Sequence, residues 1–226
     1  VYFSIDDGDS WQPLQLNLPV TSMRDMEVYI NDLIIATHGR GFWLIDDISP
    51  LRQLDAGVMK SDMWLFKPAD SINFISSGDN GTPTQKDEPQ AQSAPNGATI
   101  DYYLKSASAG PVTLEILDSN GTSLRKYSTD PSAETGAAGG RRQSAGIPNV
   151  SPLWRNAPEH FSGAAGMHRV VWNPVAPPPA NAAAGGGGFF REQTPLSGSF
   201  TAKLTANGKT LTQTFVVNPD PREKKG

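Results

Sequence analysis

The chain contains no cysteine, so disulfides, thiolate-bound zinc and thiol nucleophiles are excluded. It also lacks an excess of one charge. Nineteen Lys and Arg against twenty-three Asp and Glu leave a formal net charge of −4. That balance removes the electrostatic footprint of a nucleic-acid or anionic-membrane binder. No apolar run approaches the roughly 18 residues of a membrane-spanning helix. There are only three histidines, and no phosphate-cradling glycine loop, metal-spaced His/Asp cluster or nucleophile elbow is present. No metal or cofactor is therefore expected.

What the chain does have is turn chemistry. Its 226 residues include 22 glycines and 19 prolines, which predicts many turns and little helix. Composition divides it into blocks. Residues 1–48 carry short apolar runs between turn signals. Residues 49–61 read as a short helix and linker, with Ser49 as the cap and Pro50 in the first turn. Residues 62–221 read as strands separated by long Gly/Pro/Ala-rich loops at 77–97, 129–164 and 174–194, and 222–226 as a tail. The chain starts inside an apolar pattern and is read as a fragment or C-terminal piece.

Two hairpins can be placed in register. Asn120-Gly121 suits a two-residue type I′ turn, which pairs Leu117 with Leu124, Glu115 with Lys126 and Leu114 with Tyr127. Asn207-Gly208 sets Phe200 opposite Phe215 and Leu204 opposite Leu211, with threonines on the other face. Thr99–Lys105 and Gly166–Asn173 alternate as further strands. The fold class is all-β, with these strands forming an immunoglobulin-like sandwich.

The most specific motif lies at the amino terminus. Ser4, Asp6, Gly8, Ser10 and Trp11 fit S-x-D-x-G-x-[ST]-W at every fixed position. Asp6 can accept bonds from turn amides, Gly8 can adopt a positive φ, and Trp11 can pack across the hairpin base. The motif resembles the Asp-box, or BNR repeat, of sialidases, sortilin-like receptors and related β-propellers. Residues 24–30, 33–37 and 42–46 read as strands, giving with the hairpin about one propeller blade. The run 36–47 is similar to the last-blade segment of large bacterial secreted BNR-repeat proteins labelled xyloglucanase-like, sialidase-like or sortilin-like. In that family an immunoglobulin-like domain follows the propeller, and residues 110–118 and 166–173 resemble parts of it.

The resemblance implies a secreted or periplasmic, non-catalytic C-terminal module, with the upstream blades and carbohydrate as partners. A glycoside hydrolase with its acids upstream, and an independent carbohydrate- or protein-binding module, are the alternatives. His38, Arg40 and Trp43 could face a ligand on the propeller surface, or His38 could simply bond the backbone of its turn. Phe189 and Phe190, after four glycines, could form a sugar-stacking platform or anchor a loop. Asp46 and Asp47 have the residue types for glycoside hydrolysis. Neighbours on a strand point to opposite faces, however, so helix capping is the simpler role. His168, alternating with Val170 and Trp172, reads as a packed sheet residue.

Overall fold

A computed structural model of the chain describes residues 1–74, 96–135, 161–176 and 194–222. Phe189 and Phe190 fall outside them. The described residues are mostly β, in several sheets.

The amino-terminal part begins with a short hairpin, β1 (Tyr2–Phe3) and β2 (Gln12–Pro13). A three-stranded meander follows: β3 (Met23–Tyr29), β4 (Asp32–Thr37) and β5 (Phe42–Ile45). Leu14, Leu18, Leu33 and Ile35 form its small core, against which Phe3, Met23, Trp43, Ile45, Ile48 and Leu51 pack. The linker forms two helices, α1 (Ser49–Arg52) and α2 (Ala56–Lys60). Ser49 is not the cap of α1: Ile48 holds that position, and Asp47 Oδ1 instead accepts from the Ser49 amide at 3.0 Å. Asp55 caps α2 by accepting from the Val58 amide at 2.7 Å.

The remaining strands are β6 (Met63–Leu65), β7 (Ser71–Asn73), β8 (Ala98–Leu104), β9 (Thr113–Leu117), β10 (Ser123–Ser128), β11 (Gly166–Trp172), β12 (Gly198–Ala206) and β13 (Lys209–Pro219). They build a five-stranded sheet, ordered β10-β9-β12-β13-β7, and a three-stranded sheet, ordered β11-β8-β6. Strict alternation explains why both sheets share one core. Ile100, Tyr102 and Leu104 of β8, Leu114 and Ile116 of β9, and Phe200, Ala202 and Leu204 of β12 are all buried in it. Trp172 meets Phe200 at 4.9 Å and Phe215 at 6.0 Å between ring centroids, edge on, so one indole ties the two sheets. Gly97, at φ +140°, lets the chain enter β8 tight against Trp172, whose carbonyl would lie 2.2 Å from an added Cβ.

The second hairpin has the expected register. Phe200 pairs with Phe215 and Leu204 with Leu211, and Asn207 and Gly208 both have positive φ. The first differs. Glu115 pairs with Lys126 and Leu114 with Tyr127, but Leu117 faces Ser123, and a bulge displaces Leu124. The cause is Asp118. Its Oδ1 accepts from the Asn120 and Thr122 amides, and Gly121 N donates to the Asp118 carbonyl. Only Gly121 takes a positive φ. The connection is therefore a three-residue loop closing on a left-handed glycine, not a two-residue turn.

Phe215 is 2% exposed and packed against two aromatic rings. Phe215→Ala is expected to lower stability by about 3–5 kcal/mol. Thr212→Val, on the wet face of the same strand, should change it by less than about 0.5 kcal/mol. Urea unfolding of both variants checks the register.

Candidate functional site

Three clusters of polar side chains stand out, beginning with the Ser4–Trp11 turn. Ser4 Oγ donates to Asp6 Oδ1 at 2.8 Å and accepts from the Gly8 amide at 2.8 Å. Asp6 Oδ1 accepts from the Ser10 amide at 2.9 Å, and Oδ2 from the Ser10 hydroxyl at 2.5 Å. Asp7 and Gly8 both take positive φ, which lets the chain wrap around that carboxylate. The Ser10 hydroxyl, the Ser10 amide and the Ser4 hydroxyl together hold the Asp6 carboxyl below its ordinary pKa. Both its oxygens are engaged within the turn. Trp11 behaves differently from the expected packed residue. Its ring leans toward Gly8 and remains 62% exposed, because strands of two residues leave no base for it to cover.

The second cluster lies between β4 and β5. His38 Nδ1 lies 3.2 Å from an Arg24 terminal nitrogen. The His38 amide donates to the Ser22 carbonyl, and its own carbonyl accepts from the Thr21 hydroxyl. These bonds fix the turn. Trp43 Nε1 donates to the Arg40 carbonyl at 3.0 Å, while the indole packs inward on the small core. His38 and Arg40 are thus exposed together, and Trp43 faces away from them into the core. Near this cluster an open groove of about 420 Å³ is lined by Val1, Tyr2, Met23, Arg24, Asp25, Met26 and Ile35. Among the described residues that line it Asp25 is the one acid, whereas glycoside hydrolysis uses a facing pair.

The third cluster joins the two halves of the chain. Arg169 on β11 and Asp101 on β8 are direct partners in the ladder, on the face turned away from the large core. Arg169 Nε donates to Asp101 Oδ1 at 2.9 Å, and a terminal nitrogen donates to Oδ2 at 3.2 Å. The other donors cross to the end of β5. They reach the Asp46 carbonyl at 2.5 Å and the Asp47 carbonyl at 2.7 Å. Asp47, at φ +54°, turns the chain so that both carbonyls can meet one guanidinium. Asp32 Oδ1 accepts from the Asp47 amide and fixes that bend. Loss of water raises the Asp46 carboxyl above its ordinary pKa; Asp32 adds to this and Arg169 opposes it. A second link is made by Gln53, whose amide exchanges two bonds with the backbone of Lys67, both at 2.9 Å.

Asp46 and Asp47 therefore meet the other half through their carbonyls. Within the run 64–66, Leu65 faces the large core, Phe66 is buried and Trp64 is 37% exposed. The joint has a signal in the sequence. Pairing the two strands at 99–105 and 166–173 with each other places Asp101 opposite Arg169. His168 stacks on Tyr102 at 5.0 Å, and its ring Nε2 meets the Ala164 carbonyl at 2.9 Å, so it is a packing residue. Among the described residues no group of His, Asp and Glu could hold a metal ion, and no helix is long and apolar enough to cross a membrane. No protein family, curated protein or solved structure matches the chain.

Two outcomes follow from this geometry. Arg169→Met removes the bidentate bonds to the buried Asp101 carboxylate and both bonds to the end of β5, and the loss should be about 3 kcal/mol. The small core should then melt separately from the large one, so that calorimetry resolves two transitions in place of one. Acid should loosen the Ser4–Trp11 turn. Because the folded pKa of Asp6 is depressed, its contribution is complete above about pH 4, the unfolded value, and is lost as pH falls through the folded pKa. Trp11 emission should report that titration, and Asp6→Asn should abolish it.

Proposed function

We propose that the chain is a non-catalytic structural and interaction module at the C-terminal end of a secreted, carbohydrate-related BNR-repeat β-propeller protein. In this reading residues 1–48 belong to the last blade, and the upstream blades of the parent are its main partners. Residues 62–221 are an immunoglobulin-like sandwich that braces the blade. The observation that carries the reading is the Ser4–Trp11 turn. Its motif matches the Asp-box at every fixed position, and its carboxylate is consumed by the turn's own donors. A side chain used in this way holds a hairpin.

Three further features support it. The β3-β4-β5 meander directly follows the hairpin. Its outward surface keeps Phe42, Leu44 and Tyr29 exposed, as expected of a sheet that expects neighbours. The two sheets that follow enclose their own core and carry Greek-key-like crossovers, with β9 placed beside β12.

The test is turnover. Purified chain, incubated with aryl sialosides and with β-glucan oligosaccharides, should release no product above the buffer blank. Hydrolysis that disappears on Asp46→Asn would show that the chain carries its own chemistry and would end this reading.

A further inference from the structure

Asparagine followed by glycine is a chemically labile dipeptide. Glycine has no Cβ to shield its nitrogen, so that nitrogen can attack the asparagine side-chain carbonyl and close a five-membered ring. The sequence holds four such dipeptides. Asn80-Gly81 lies outside the described residues. The other three, Asn96-Gly97, Asn120-Gly121 and Asn207-Gly208, are held in three different ways.

Asn96 is locked at both ends. Its Nδ2 donates to the Phe74 carbonyl at 2.8 Å and to Asn73 Oδ1 at 3.4 Å. Gly97 is pinned against the Trp172 carbonyl. Asn207 is locked by its side chain and by its backbone. Its Oδ1 accepts from the Ser108 hydroxyl at 2.9 Å and from the Ala109 amide at 3.2 Å. Ring closure needs Cβ and the following nitrogen to eclipse about the Cα–C bond. Positive φ at both Asn207 and Gly208 makes a type I′ turn, whose first residue holds these two atoms nearly opposite each other.

Asn120 has neither lock. It is exposed, and among the described residues no group bonds its side chain. It occupies the third position of a right-handed turn that closes on left-handed Gly121. From there the rotation that brings Cβ toward the next nitrogen runs through the ordinary right-handed region of backbone space. The attacking amide, that of Gly121, is retained by one turn bond, to the Asp118 carbonyl at 3.0 Å. Such a bond at a loop tip breaks in local openings that leave the flanking strands paired.

We propose that Asn120-Gly121 is a self-modification site, where the folded chain loses ammonia and acquires aspartate and isoaspartate, while Asn96 and Asn207 are protected by the fold. The Gly121 nitrogen bonds to Asn120 Cγ and gives up its proton. The Cγ–Nδ2 bond breaks, and the amide group takes up a proton and leaves as ammonia. Water then opens the cyclic imide at either carbonyl, and no oxidant or reductant is needed. Either product places a new carboxylate beside Asp118. The isoaspartyl form also adds one main-chain atom to the loop that sets the register of β10, the edge strand of its sheet. The site is independent of the propeller reading, since it needs only this chain and water.

Peptide mapping by mass spectrometry of the full chain, aged in mildly alkaline buffer, tests this. The peptide holding Asn120 should convert at least about tenfold faster than those holding Asn96 and Asn207, with isoaspartate as the main product. In concentrated urea, where no turn persists, the three rates should fall within about threefold of one another. Conversion of Asn96 or Asn207 as fast as Asn120 in the folded chain would overturn the proposal. So would an Asn120 that stays intact while the urea sample reacts, or a product of aspartate without isoaspartate, which marks direct hydrolysis in place of ring closure.

Discussion

The relation between the two halves of this molecule is set first by one guanidinium, with the Gln53–Lys67 exchange as a second link. The small amino-terminal core and the large two-sheet core are separate apolar clusters. Hydrophobic burial is non-directional and could not by itself fix how one sits on the other. Arg169 supplies direction. Its planar fork takes a bidentate carboxylate on its own sheet and two consecutive carbonyls from the end of β5. Asp101 is only 6% exposed, so it must be paired, and the cation that pairs it is thereby rigid. A rigid donor array then accepts only one arrangement of the β5 end. That arrangement requires the positive φ of Asp47, stabilised by Asp32 from β4. The chain of constraint runs from the large sheet, through one side chain, into the backbone of the small one.

The same logic separates the acids of this chain by what their oxygens do. Asp6 folds a turn around itself, Asp55 and Asp47 hold the amides at the starts of short helices, Asp118 sets a loop length, and Asp101 anchors the joint. Each is a carboxylate used as a local backbone acceptor or as a partner for a cation. Asp46 differs, because burial beside Asp32 raises its pKa. A raised carboxyl is a mark of many general acids. Its neighbouring acids are engaged with backbone: Asp32 Oδ1 accepts from the Asp47 amide, and Asp47 Oδ1 from the Ser49 amide. The perturbation is a by-product of packing acids around a joint.

Much of the sheet structure was legible because period-two alternation was strong. Phe200 to Ala206 and Lys209 to Val217 specify their own register through an Asn-Gly turn in which both residues tolerate positive φ. The neighbouring turn shows the limit. Asn120-Gly121 presents the same dipeptide, yet Asp118 two positions earlier offers the backbone a competing acceptor, and the loop grows by one residue. Register was readable from the dipeptide only where no flanking side chain bonded the turn. The helix cap failed for a related reason: Asp47, already turned by its own φ, reached the Ser49 amide and made Ser49 a donor. The joint has no signal within either strand alone. Its signal was a cross-strand pair of opposite charges, Asp101 with Arg169, visible only once two segments 68 residues apart are laid side by side.

The amino-terminal part raises a separate question of balance. Its hairpin strands are two residues long, and its fully buried core consists of four aliphatic side chains. Isolated small sheets of this kind are marginal in water. What sustains it is covalent and polar attachment rather than burial. Arg52 donates to the Ile30 carbonyl at 2.7 Å, the Ile48 amide donates to the Asn31 carbonyl at 2.6 Å, and Ile48, just before α1, and Leu51 within it pack on the core. These contacts all converge on the β3–β4 turn and the β5–α1 bend, the same end of the meander that Arg169 grips. The far end, with Tyr2, Trp11 and the His38 turn, has no such tether among the described residues. The free energy of local opening should therefore rise along the meander toward the joint, so the Ser4–Trp11 turn keeps its shape mainly through its own internal hydrogen bonds.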